Sequence, residues 1–288
     1  MPSIKELRQK IRSLRSTSKI TSALKLVSSA KLRKAQEAFS RNNVYFGGMQ
    51  EVVTHLLGSP GASSLALLKP AVEVKRIRVV VLSTDMGLCG AFNLNLFKLI
   101  QGKVRKEWAG KLVDVVTVGR KGADFFTRRC PVSDVDVIPG LPTKIPYEAA
   151  HKIGAAAIVD FLAHKVDEVY LGFNLFHSMV SQEARLEPLL PIVPLKPGHG
   201  ATLDYIYEPE EEGIYERVLP LLVHSSIYRA MLSNRLGELA ARMNAMDNAT
   251  RNSKDLINRY TLIMNRARQT AITTELTEIV SGAESLKG

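Results

Sequence analysis

The sequence predicts an α/β protein with a long antiparallel coiled coil: N- and C-terminal helices pair with each other, and a central Rossmann-like α/β domain with a mainly parallel sheet lies between them in the chain. Three observations predict it. Both ends are long, nearly free of glycine and proline, and carry apolar residues at alternating three- and four-residue spacing. The middle alternates short β-branched runs with helical stretches, the pattern of parallel strands joined by crossover helices. Charge is segregated: residues 1 to 41 hold eleven bases against only Glu6 and Glu37, so this segment carries nine of the chain's net eleven positive charges.

The N-terminal segment, 1–58, has no glycine before Gly47 and no proline after Pro2. Ile4, Leu7, Ile11 and Leu14 define its seam, which then jumps to Ile20, Leu24 and Val27, a slip expected to change the supercoil locally. Gly58-Ser-Pro-Gly-Ala-Ser-Ser closes the segment as a loop. A basic helix of this kind either presents a solvated face or meets a polyanion such as nucleic acid, an anionic membrane surface or an acidic protein face.

The central domain, 75–210, opens with the buried strand Ile77–Leu82. Leu112–Val118, Val132–Ile138 and Glu168–Phe176 read as further strands, and Leu189–Val193 as one more. Ala91–Trp108, Lys121–Arg129 and Tyr147–His164 have helical spacing, the last with an alanine-rich face. An acidic run follows at Glu208, Glu210, Glu211, Glu212 and Glu216.

The C-terminal segment, 213–286, is the most regular. Alternating steps from Leu232 give Leu236, Leu239, Met243, Met246, Thr250, Ser253, Ile257, Tyr260, Met264, Ala267, Ala271 and Thr274, all apolar except three small hydroxyl residues. A helix of about 70 residues reaches roughly 100 Å, too long for the rest of the chain to cover. It needs a mate, and the N-terminal helix supplies one.

Composition narrows the function. The 288 residues are 45% hydrophobic and 23% charged, and no stretch approaches the roughly 20 apolar residues of a membrane span. The opening MPSIKELRQKIRSLRS has neither an apolar block nor a small-residue cleavage site, which argues against a secretory signal. Cys89 and Cys130 alone do not make a disulfide framework and suggest a reducing compartment. The six histidines show no ligand spacing and no cysteine joins them, so no metal site is expected. Asp134 and Asp136 alternate along a strand as a solvent face would, and Met243 and Met246 lie on the helix seam.

Thr84-Asp-Met-Gly-Leu-Cys-Gly-Ala-Phe-Asn93 follows the first strand and enters a helix, where doubly wound folds bind phosphates. Its spacing matches neither the dinucleotide fingerprint nor the P-loop. It is a structural turn, with Asp85 or Asn93 stabilising the helix start, or a small-molecule site. Cys89 within it has no base picked out by the sequence and reads as a packed thiol. Nucleic-acid binding lacks a stacking platform, since Phe39 is the only aromatic in residues 1 to 41. A coiled-coil nucleic-acid scaffold would show duplex binding that weakens steeply with salt. An α/β enzyme with helical arms would need a ligand at the 84–93 turn.

Two long motifs are more specific. One is Lys19-Ile-Thr-Ser-Ala-Leu-Lys-Leu-Val-Ser-Ser-Ala-Lys-Leu-Arg-Lys-Ala-Gln36; the other is Asn265-Arg-Ala-Arg-Gln-Thr-Ala-Ile-Thr-Thr-Glu-Leu-Thr-Glu-Ile-Val-Ser-Gly-Ala283. Together with Ala241–Met246, Gly87-Leu-Cys-Gly90 and Phe92-Asn93, they closely resemble the gamma-subunit family of F-type ATP synthases, from about Ile4 to Leu286. The chain departs from the usual pattern at Leu24, where methionine is common, at Asp85-Met86, at Gly90-Ala91 and at Met264. The inserted cysteine pair of chloroplast relatives is absent, so the resemblance implies no thiol control.

The resemblance implies a non-catalytic central rotor shaft that couples ion flow through a membrane rotor ring to ATP synthesis or hydrolysis. Its implied partners are the alpha and beta subunits of the catalytic hexamer, the epsilon subunit and the c-ring, with no nucleic acid and no direct membrane insertion. It implies no cofactor, and a peripheral position on the cytoplasmic face of a bacterial plasma membrane. Lys19, Lys25, Lys31, Arg33 and Arg242 would meet an acidic loop of each beta subunit, and Leu24 would also touch a partner. Arg268, Gln269, Thr273 and Glu275 would form the catch on the catalytic subunits' loops. Asp204, Tyr205 and Glu208 would belong to the foot that meets the rotor ring and epsilon.

Overall fold

The computed structural model describes residues 3–56, 65–193 and 211–285. The elements run α1 (Ile4–Leu56), β1 (Arg76–Leu82), α2 (Phe92–Lys106), β2 (Leu112–Val118), α3 (Arg120–Arg129), β3 (Asp134–Ile138), α4 (Tyr147–Leu162), β4 (Glu168–Phe176), β5 (Gln182–Leu190) and α5 (Glu211–Ser285). The chain divides into two compact units, Met1–Ser28 with Met243–Gly288, and Ser29–Arg242.

In the first unit the two helix segments run antiparallel. The ammonium of Lys10 lies 5.8 Å from the Tyr260 ring centroid, Thr21 and Thr250 share a 2.7 Å hydroxyl hydrogen bond, and Lys25 donates to Asp247 at 2.6 Å. As the α1 number rises, the α5 number falls. The α1 start is fixed by a reciprocal cap: the Glu6 N–H donates to the Ser3 hydroxyl, and the Ser3 N–H to the Glu6 carboxylate.

The expected slip in the α1 seam does not occur. Leu7, Ile11, Thr21 and Ser28 are buried, and the spacing runs on through Leu14 and Ser18 without a break. Ile20 and Val27, assigned to the seam by their apolar character, are 58% and 51% exposed. The reason is steric: α5 offers Thr250 and Ser253 here, and small hydroxyl side chains that bond each other or the preceding turn allow close approach where an isoleucine would not fit. On α5, the seam read from the sequence is the covered face as far as Ala271; Thr274 is exposed.

The second unit holds a five-stranded sheet of order β3-β2-β1-β4-β5, with the first four strands parallel and β5 antiparallel to β4. Alternation along β1 separates two cores. Ile77, Val79 and Val81 face α2 and α3, meeting Leu96, Ile100 and Phe126. Val80 and Leu82 face the other way, in the core with Ile153 and Phe161 of α4 and Leu219, Val223 and Ile227 of α5. Pro220 lies within α5, where its missing N–H leaves one helical bond unmade.

The fifth strand departs from expectation: it occupies Gln182–Leu190 instead of Leu189–Val193. Its one-sided pairing explains why the sequence hid it. An edge strand tolerates Pro188 and alternating charges, and Glu183, Arg185 and Glu187 form a ladder of mutual ion pairs along one face. Ala184 and Leu186 turn to the α2 side.

Candidate functional site

In a sheet of this order the winding reverses between the parallel neighbours β1 and β4, and open α/β folds bind ligands outside the strand ends at that point. Here α5 occupies the place. The Phe176 N–H donates to Ser233 Oγ at 2.9 Å and the Asn174 N–H to Asn234 Oδ1 at 3.1 Å, so the last residues of β4 are tied to the helix. Gly237 lets α5 come close: a Cβ there would stand 3.0 Å from the Phe92 ring and 3.2 Å from Gln182.

Arg242 completes the closure. Its guanidinium is buried and donates to the carbonyls of Met86 and Gly87 and to Glu238, the last at 2.7 Å. Arg235 donates to the other Glu238 oxygen at 2.7 Å. One buried carboxylate thus holds two arginines, and one of these grips the turn.

The turn is consumed internally. Thr84 Oγ1 donates to the Met86 carbonyl and accepts from Asn93 Nδ2, while Asp85 accepts the Arg120 N–H at the start of α3. Asn93 therefore braces the turn and does not cap α2, whose first turn has no side-chain cap. Leu88 and Gly90 adopt positive φ of 64° and 62°, which bends the turn tightly. Cys89 is buried there, and desolvation pushes its thiol pKa up, away from the reactive thiolate. Among the described residues no group of three or more His, Cys, Asp and Glu could hold a metal ion.

The residues assigned to partner contact fall into distinct settings. Lys19, Lys31 and Arg33 are exposed on α1 and make no ion pair among the described residues. Leu24 is half-buried. Lys25 is paired with Asp247, and with Arg251 it holds that carboxyl down to about 2. Arg242 is committed to Met86, Gly87 and Glu238. Arg268, Gln269, Thr273 and Glu275 are exposed on α5, with the Thr273 hydroxyl donating to the Gln269 carbonyl. Asp204, Tyr205 and Glu208 lie outside the described residues.

Sequence reasoning missed Ser233, Asn234 and Glu238. Their signal was polar side chains at or beside the apolar seam of a helix, which marks a buried polar contact.

Beyond Ala267 in α5 little is covered. Ile272, Leu276, Ile279 and Val280 are 49%, 57%, 66% and 60% exposed. No described helix is long and apolar enough to cross a membrane.

These features define a class: an α/β sheet whose ligand crevice is sealed by its own terminal helix, in a chain whose last helix ends in an uncovered apolar face. Comparison with known proteins makes the class specific. The family model for ATP synthase matches residues 3–286. The ATP synthase gamma chain of Geobacter metallireducens is 40% identical over 290 residues, and that of Chlorobaculum parvum 37% over 292, each covering all of both chains. A chain in the mitochondrial ATP synthase structure of Euglena gracilis (OSCP, F1 and c-ring, rotational state 3) shares the fold at TM-score 0.67 and 18% identity. That match covers 98% of this chain and 94% of the other. The chain belongs to the ATP synthase gamma-chain family.

Proposed function

We propose that this chain is the central rotating shaft of an F-type ATP synthase, with no active site of its own. The observation that carries the reading is the C-terminal part of α5. It continues past the reach of its α1 mate and presents exposed apolar residues that only another subunit can cover. Its implied occupant is the sleeve formed by alternating alpha and beta subunits.

The mechanism follows from shape. A chain that makes no bonds drives chemistry elsewhere only by favouring one conformation of each site over another. An asymmetric shaft meets each beta subunit differently, so turning it shifts the affinity for nucleotide from site to site and drives release of ATP. Torque enters from the c-ring and epsilon subunit, with residues 204–208 as the foot. The segments 1–58 and 213–286 act as the shaft helices and 75–210 as the α/β domain.

Lys19, Lys31 and Arg33 are the cations we assign to an acidic loop of the beta subunits. Lys25 and Arg242, whose charges are already shared within the chain, act there less directly. Arg268, Gln269, Thr273 and Glu275 form the catch, and Leu24 packs beside the basic face. Position at the cytoplasmic face of a bacterial plasma membrane, peripheral to it, completes the reading.

Purification of the tagged chain from native membranes tests it. One copy recovered with alpha and beta subunits and with ATPase activity is expected. Recovery alone, or with nucleic acid and without ATPase, would overturn the assignment.

A further inference from the structure

A second feature of the Ser29–Arg242 unit is independent of the rotor reading. Between the β4–β5 face, α1 and α5 lies a cavity of about 460 Å³, within the roughly 300–1,000 Å³ of small-molecule sites. Most of its wall is apolar, built on Phe173 of β4, Phe46 of α1 and Leu222 of α5. Its polar lining comes chiefly from Arg185, Glu187 and Arg229.

The close ion pairs there leave one guanidinium out. Arg185 is shared between Glu183 at 3.0 Å and Glu187 at 3.5 Å. Arg229 lies outside these pairs. Its guanidinium stacks over the Phe46 ring at 4.6 Å, its Nε is buried without a hydrogen-bond partner, and it forms no ion pair among the described residues. Desolvation and the neighbouring Arg185 lower its pKa against the pull of Glu187, and a guanidinium keeps its proton in proteins. An unpaired, partly desolvated cation beside an apolar hollow is costly unless an anion joins it.

We propose that this cavity binds an amphipathic monoanion, a carboxylate on an apolar chain, with the carboxylate on Arg229 and the chain among Phe46, Phe173 and Leu222. The aromatic stacking fixes the plane of the guanidinium and leaves its in-plane N–H groups as the donors for a carboxylate. A free phosphate would leave the apolar wall unfilled. An uncharged chain would leave Arg229 unpaired.

Titration calorimetry and melting of the full chain with decanoate test the site, with decan-1-ol and decyltrimethylammonium as charge controls. Decanoate is expected to bind and raise the melting temperature, with the alcohol at least tenfold weaker and the cation without effect. Arg229→Gln should weaken decanoate at least tenfold and Arg229→Lys should restore part of the loss. Leu222→Trp, which fills the apolar end and leaves the charge, should also abolish binding. No decanoate binding, equal binding of acid and alcohol, or an unchanged affinity in a folded Arg229→Gln chain would overturn the proposal.

Discussion

Each of the two units is held together internally by its own means. In the Ser29–Arg242 unit, large apolar side chains fill both faces of the sheet, and a buried Arg235–Glu238–Arg242 network locks α5 to the 84–93 turn. In the coiled-coil unit, the seam passes from Leu7 and Ile11 to a Thr21–Thr250 hydroxyl pair, Ser28 and Ser253, and the outermost α5 residues have no mate. The first arrangement specifies one geometry, because both Glu238 carboxylate oxygens and the Arg242 guanidinium are held by assigned partners. The second gives a slender rod whose stiffness comes from the helices themselves and whose surface offers few features that would lock it against a surrounding sleeve. For a shaft, stiffness and a weakly featured tip are both required.

The largest expected effect breaks the rod. Met243→Pro removes a helical hydrogen bond and clashes with the preceding turn, costing about 3 kcal/mol or more locally. Coupled ATP synthesis should be lost while the sheet keeps its near-native spectrum. Synthesis at the wild-type rate would show that rod stiffness is not what transmits torque.

Breaking the lock in the other unit comes next. Glu238→Ala leaves Arg235 and Arg242 without their carboxylate, and breaking a buried ion pair this way costs roughly 3–5 kcal/mol. The thermal unfolding of the α/β unit should move down by many degrees, and Glu238→Gln, which keeps one acceptor, should lose less. If Glu238→Ala melts like the parent chain, the lock does not hold α5 in place.

A pH dependence distinguishes the units further. His224 of α5 is buried against His151 of α4, ring centroids 4.5 Å apart, and desolvation together with the neighbouring imidazole holds its pKa below the ordinary 6.5. The unfolded chain therefore binds the proton first, so stability is full above pH 6.5 and declines as pH falls through the lower folded value. The His224 ring packs closely over Gly154, where an added Cβ would clash with it. Melting followed from pH 7.5 down to 5.5 should show this slope, and His224→Leu should flatten it. An unchanged slope would assign the dependence to other groups.

The smallest effect is expected in the rod. Lys25→Ala breaks an ion pair that is substantially exposed, and such pairs contribute little. Melting of the chain should barely change, and a large drop would mean that the coiled coil depends on this contact as the sheet depends on Glu238.

Much of this was legible in the sequence because periodicity reports burial directly. The α5 seam was recoverable residue by residue as far as Ala271, and the four parallel strands stood out as short runs rich in apolar residues. Two features were hidden because apolar character was used as the sign of burial. Thr21 and Ser28 are in the seam while Ile20 and Val27 are not, and β5 buries only part of a charged edge sequence. The setting of Arg242 was not legible at all: its acceptors, Met86 and Gly87, lie more than 150 residues away in the chain, and backbone carbonyls leave no trace in a side-chain pattern.

The central claim, that this chain turns inside a ring of other subunits, is most directly tested by single-molecule rotation. A probe fixed to an exposed α/β residue such as Val159, in a complex anchored through its beta subunits, should rotate in one direction when ATP is supplied and stop when ATP is withdrawn. ATP hydrolysis by the complex with the probe stationary, or wandering without direction, would contradict the account.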